Sequence, residues 1–333
     1  MNPERLSTPR LLAYSAPSLV TSVAALPMAL FVPAFYADDL GVPLAAVGGA
    51  IAFSRLLDVV TDPLIGALSD RRKLPLGRRK PWMLLGVPLF LYSLWQIFVP
   101  GDAASTTHLL IWSALLYLGF TMIDLPHKAW GAELSTDYDE RSRITSAREA
   151  ISTAGQVLLL AALVWLAARG IEDAASQLYG IAVAVVVALP LLMAACLLGV
   201  GERAPEQIDV PRPRLVEGLR LVAANPAFRR MVGCVLFFVS GVAIQGTLHR
   251  LVLADVMLDE GRFPTMILLE NLGTLLAVPL WLKLSVRIGK HPALMLAALW
   301  IAVWSVPLAF LREGQTTALV AIVVIRGASF ASI

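Results

Sequence analysis

Charge is scarce in this chain. Only 15% of its 333 residues are Asp, Glu, Lys or Arg, against about 25% in an average soluble domain. Hydrophobic residues reach 58%, and the mean hydropathy is +0.74. Such a chain cannot cover itself with polar groups, so it belongs in a bilayer. The net charge of +3 is small and sits in loops, which argues against a nucleic-acid partner. Cysteine is nearly absent. Cys196 and Cys234 each lie in an apolar run, where a small packing role is expected and no disulfide or thiolate metal site. The apolar runs do not alternate, which excludes a transmembrane barrel. No nucleophile–base pair and no metal-ligand cluster stands out, so an enzyme and a bound cofactor are not expected. MNPERLSTPR leads into an apolar run too long for a signal peptide.

What is present is a series of runs of about 20 apolar residues, the length a spanning helix needs. They fall near 11–37, 43–69, 82–100, 106–134, 143–168, 177–200, 228–254, 263–284, 291–311 and 316–333. Nine are complete, and the tenth is still apolar at Ile333, so the chain is expected to stop inside helix 10. The Pro- and charge-rich stretch 201–227 divides residues 1–200 from residues 228–333 and reads as a linker between bundles. Basic residues place the helix ends. Nineteen fall on the side of the N-terminus and of that linker, and only Arg169, Arg262 and Arg312 fall on the other. Because basic loops are retained in the cytoplasm, the N-terminus and the linker are expected there. Pro63-Leu64 with Leu68-Ser69 recurs as Pro279-Leu280 with Leu284-Ser285, each at the end of the second helix of its half, which suggests duplication.

Ionisable groups inside a bilayer cost about 2.5–3.5 kcal/mol each on insertion scales, and they mark function by default. Helix 2 carries Arg55, Asp58 and Asp62 on one stripe, with Thr61 beside them. Helix 4 carries Tyr117, Thr121, Asp124 and Lys128 at the same spacing. Counted from their outer ends, Asp58, Asp62, Thr121 and Asp124 share one depth, and Arg148 of helix 5 can extend toward it. Two carboxylates one turn apart repel in a low dielectric and call for a shared proton or a cation. Their oxygen donors suit a hard ion such as Na⁺. As internal glue, Arg55 could instead pair with Asp58 or Asp62, and Lys128 with Asp124. The basic loop with Asp70, Arg71, Arg78 and Arg79 is a topology signal. It could also join neighbouring helix ends by ion pairs and act as a gate. In the second half, Gln245, His249, Arg250, Glu270 and Asn271 are candidates of low specificity.

RLLDVVTDPLIGALSDRR followed by GRRKPW, then FTMIDLPHKAWGAELSTDYDERSRITSAREAISTAG, resembles the glycoside-pentoside-hexuronide cation symporters. These are the melibiose-permease-like family of the major facilitator superfamily. The motifs cover roughly residues 30 to 155. The resemblance implies an all-α major facilitator fold of two pseudo-symmetric six-helix bundles, with the second incomplete here. It implies cation-coupled symport of a sugar, glycoside, uronide or related solute by alternating access. Asp58, Asp62 and Thr121 match cation ligands, with Thr61 beside them; Asp124 and Arg148 match the sugar site. Ser22 stands where the family's melibiose transporter has a sugar-binding aspartate, and Lys128 where it has a tryptophan that stacks on the sugar, so the resemblance puts both at the substrate site. A cation gained and an anion lost would favour a negatively charged solute. The expected partners are a solute, a coupling ion (Na⁺ or H⁺, with Li⁺ admitted) and the lipid bilayer. The expected setting is a monomer in a bacterial-type inner membrane. A lysophospholipid symporter and a non-transporting membrane sensor are the alternatives.

Overall fold

A computed structural model describes residues 5–71, 76–171, 173–202, 215–258 and 262–329. All its elements are helical. The long ones are α1 (Thr8–Leu30), α2 (Leu44–Arg71), α3 (Lys80–Phe98), α4 (Thr106–Glu133), α5 (Tyr138–Ala167), α6 (Ala174–Gly199), α7 (Pro226–Leu251), α8 (Phe263–Ile288) and α9 (Lys290–Ser305). The shorter α10 spans Thr316–Gly327. Among the described residues, eight helices are long and apolar enough to cross a membrane: α1–α6, α8, and α9 with its short extension to Phe310.

The ends differ from the apolar runs. Helix α1 stops at Leu30, and the chain continues through Val32–Ala34 into a wider turn at Phe35–Asp39. Helix α9 closes in a tight turn, Val306–Phe310, at Pro307, whose ring and missing N–H end regular α-helix. Helix α10 ends at Gly327, and residues 330–333 of the expected run lie outside the described residues. The stretch expected to be a plain linker contains a helix, Leu215–Ala224. Prolines lie inside α1, α2, α3, α4, α6 and α8. In lipid such breaks are tolerated where neighbouring groups satisfy the freed carbonyls.

Helix α4 packs along α3 and α2, while α1 packs along α5 and α6. Small residues allow the closest approaches, since helices in lipid associate mainly by packing. A Cβ on Gly119 would lie 2.7 Å from the Phe90 backbone nitrogen, and one on Gly155 would strike the Leu19 carbonyl. Between them these contacts bury Tyr14, Phe90, Leu94, Leu109 and Trp130 in one core. Helix α8 lies along α5 and also along α10, joining the second half to the first.

Candidate functional site

The α2–α4 packing decides where the intramembrane carboxylates point. Leu56, Val59, Val60 and Leu64 of α2 are exposed, so the opposite stripe faces inward. Asp58, Thr61 and Asp62 are half-buried there. Thr121, 4% exposed, donates from Oγ1 to Asp62 Oδ1 at 2.8 Å. Asp58 Oδ1 and Thr61 Oγ1 are buried and have no hydrogen-bond partner. Buried polar atoms left in this way are costly unless a ligand engages them. Four oxygen-bearing side chains from two helices thus share a neighbourhood, in the donor chemistry of a hard monovalent cation. Arg55 does not close it: its Nε donates to Tyr117 Oη at 3.2 Å, and it forms no ion pair with either aspartate. Its side chain reaches across to α4, while its charge still acts on Asp58.

Asp124, one turn further along α4, is held by two cations. Lys128 Nζ lies 2.6 Å from Oδ2, and Arg148 Nη1 of α5 lies 3.5 Å from Oδ1. Arg148 also pairs with Glu149, whose side chain is more than half exposed. Ser22 lies elsewhere in the packing. It is buried, and its Oγ donates to the Ser152 carbonyl at 2.8 Å beside Gly155, tying α1 to α5.

Beneath this cluster His127 is buried. Its Nε2 lies 2.8 Å from the Tyr14 carbonyl, while Tyr14 Oη donates to the His127 carbonyl at 2.8 Å. The reciprocal pair fixes α1 against the half-turn of α4 between Asp124 and Lys128. The sequence offered one signal for it, a histidine beside the Asp124–Lys128 stripe, which spacing alone does not separate from packing.

The basic loop gathers three helix ends. Arg79, 5% exposed, donates to Ser69 Oγ at 2.9 Å and pairs with Asp70 at 2.6 Å and Glu133 at 2.7 Å. Arg78 pairs with Glu133 at 2.5 Å. Burial disfavours the charge on Arg79, but the carboxylates of Glu133 and Asp70 outweigh it and hold the guanidinium above its ordinary pKa. Glu202, just past α6, accepts from the backbone N–H groups of Arg78 and Arg79. That approach needs Gly77, which has φ +115° and leaves no room for a Cβ against Glu202. Lys80 adds bonds of 2.7 Å to the carbonyls of Leu197 and Val200. The ends of α2, α4 and α6 are thus clamped together. The side chain of Arg71 lies outside the described residues.

The family model described as MFS/sugar transport protein matches residues 13–333. An uncharacterized symporter of Synechocystis sp. is 32% identical over 54% of this chain and 35% of its own length. The glucuronide carrier protein homolog of Escherichia coli is 25% identical over 92% of this chain and 70% of its own. Among solved structures, the crystal structure of a D-xylose-proton symporter aligns with a TM-score of 0.62 at 15% identity, over 97% of this chain and 79% of that one. The arrangement of helices is therefore the one that symporter adopts.

Proposed function

This chain belongs to the MFS/sugar transport protein family, and we propose that within it the protein is a cation-coupled symporter of a sugar-like or related organic solute. The symporter resemblance first read from helix 2 is borne out by the relatives. The observation that carries the mechanism is the α2–α4 oxygen cluster. Asp62 and Thr121 are already joined at 2.8 Å, and Asp58 and Thr61 each present a buried oxygen without a partner. A Na⁺, Li⁺ or proton entering there offsets the repulsion of two carboxylates one turn apart and draws α2 onto α4.

Asp124 is the link to the solute. It lies one turn from Thr121, and Lys128 and Arg148 position it, so tightening of α2 against α4 reaches the solute-facing groups directly. Coupling of this sort amounts to about 1–3 kcal/mol and is reciprocal, so solute must tighten the cation as much as cation tightens solute. The clamp of Arg78, Arg79 and Asp70 acts as the gate on the side of the basic loops. We place those loops and the N-terminus in the cytoplasm of a bacterial-type inner membrane. Residues 1–200 and 228–333 would rock against each other around the site, in a monomer.

The test is calorimetric titration of purified protein with Na⁺, Li⁺ and acid, together with uptake of a glycoside and organic-acid panel into proteoliposomes. Asp58→Cys and Asp62→Cys should each abolish cation-stimulated uptake. Stimulation that survives both substitutions would refute the assignment.

A further inference from the structure

The second half of the chain holds a buried ionic cluster that the α2–α4 mechanism does not use. Arg326 of α10 is 1% exposed. Its Nη2 lies 3.2 Å from Glu270 Oε1 of α8 and 3.2 Å from His249 Nε2 of α7. Three ionisable side chains from three helices therefore meet. An arginine cannot accept a hydrogen bond, so His249 must accept with Nε2 and carry its hydrogen on Nδ1, which makes it neutral. The cluster then holds one positive and one negative charge.

Its bonds are loosely made. One Nη2 serves both partners, each at the long end of the hydrogen-bonding range, and Arg326 Nε is buried with no partner. The site also lies at a different depth from the first. Glu270 lies seven residues into α8 and Asp58 fourteen residues into α2, so at 1.5 Å per residue their depths from the entry ends differ by roughly 10 Å. Arg326 is the charged group that acts on both Glu270 and His249. Of the charged groups on the helices packed against α8, Arg148 of α5 is paired with Asp124 and Glu149, and Lys290 of α9 lies over the Tyr138 ring. Lys283 and Arg287 of α8, and Arg229 and Arg230 of α7, sit at the opposite ends of their helices. The side chain of Arg250 lies outside the described residues.

We propose that His249, Glu270 and Arg326 form a proton-binding site, distinct from the α2 carboxylates, whose occupancy controls how α8 is held. One proton adds to the cluster as a unit, forming a single O–H or N–H bond. On Glu270 it removes the counter-charge of a buried guanidinium; on His249 it sets two cations 3.2 Å apart. Neither state can persist closed in a low dielectric, so the tie opens and α8 is released from α7 and α10. Helix α8 is the helix that lies along α5 of the first half, so this release reaches the contact between the halves.

The segment carries its own reporters. Trp281 Nε1 donates to the Ala328 carbonyl at 2.7 Å, and Trp300 Nε1 donates to the Ile325 carbonyl at 2.8 Å, on either side of Arg326. Tryptophan fluorescence of the purified full chain, titrated from about pH 8 down to about pH 5, should show one reversible transition. Trp300→Phe should remove much of its amplitude without moving its midpoint. Glu270→Gln and His249→Gln should each abolish it, and Glu270→Asp should shift it. Asp58→Asn should leave it intact while weakening cation binding at least tenfold, which separates this site from the proposed coupling site. If Glu270→Gln does not elute as a monodisperse peak, His249→Gln carries the same comparison. A wild-type protein without a transition, a transition unchanged in the variants, or one lost with Asp58→Asn overturns the proposal.

Discussion

Replacing Thr121 by valine tests the coupling site most directly, because it removes one oxygen and leaves the shape. The hydroxyl donates to Asp62 at 2.8 Å from a side chain that is 4% exposed, so neither solvent nor a neighbour can replace it. A hydrogen bond to a charged group contributes about 1.5–3 kcal/mol. At 1.4 kcal/mol per factor of ten, its loss should weaken cation affinity by roughly 10- to 150-fold. The hydroxyl that bonds Asp62 also offers a lone pair to the ion, so the larger figure is the better guide for Na⁺ and the smaller for a proton. Thr121→Ser keeps the oxygen and should stay within about threefold of the parent. Calorimetric titration with Na⁺, Li⁺ and acid reads the effect without knowledge of the solute. A Thr121→Val protein with intact melting behaviour and an unchanged affinity for every ion would show that the α2–α4 oxygens do not bind the coupling cation.

Arg79→Ala should destabilise the protein by about 3 kcal/mol in a detergent melting assay. It takes a buried cation from both Glu133 and Asp70; Glu133 keeps its pair with Arg78 and the Asp70 side chain is half-exposed, so the loss falls at the low end of the range. Gly155→Val drives its side chain into the Leu19 carbonyl and should cost about 1–3 kcal/mol or more through overpacking, visible as a lower melting temperature at unchanged cation affinity. Lys128→Ala removes one of the two cations on Asp124 from a half-exposed position worth about 1 kcal/mol, so affinity for anionic glycosides should fall roughly fivefold while that for neutral ones changes little. Equal losses for both classes would argue against an anionic solute.

What was legible in the sequence was whatever a single helix displays. Asp58 and Asp62 share a stripe of α2, and Thr121, Asp124 and Lys128 share one of α4. A common depth counted from the helix ends was enough to bring Thr121 opposite Asp62. The Arg79 clamp was anticipated for a similar reason: Asp70 and the arginines are near neighbours in the chain, although the partners Glu133 and Glu202 come from distant helix ends. Direction was the missing information. Arg55 has aspartates at i+3 and i+7 and still reaches across to Tyr117, because α2 meets α4 on that side. Ser22 was read as part of a solute site, and its hydroxyl spends its hydrogen on the Ser152 carbonyl where Gly155 admits α1. The cluster of His249, Glu270 and Arg326 shows the same limit most sharply. The three residues come from three different helices, and 77 residues separate the histidine from the arginine. Only the packing of α7, α8 and α10 brings the candidates His249 and Glu270 together with Arg326 in one charged site. Buried ionisable residues that look isolated along the sequence are thus the ones whose partners the fold must supply, since in lipid none can remain alone.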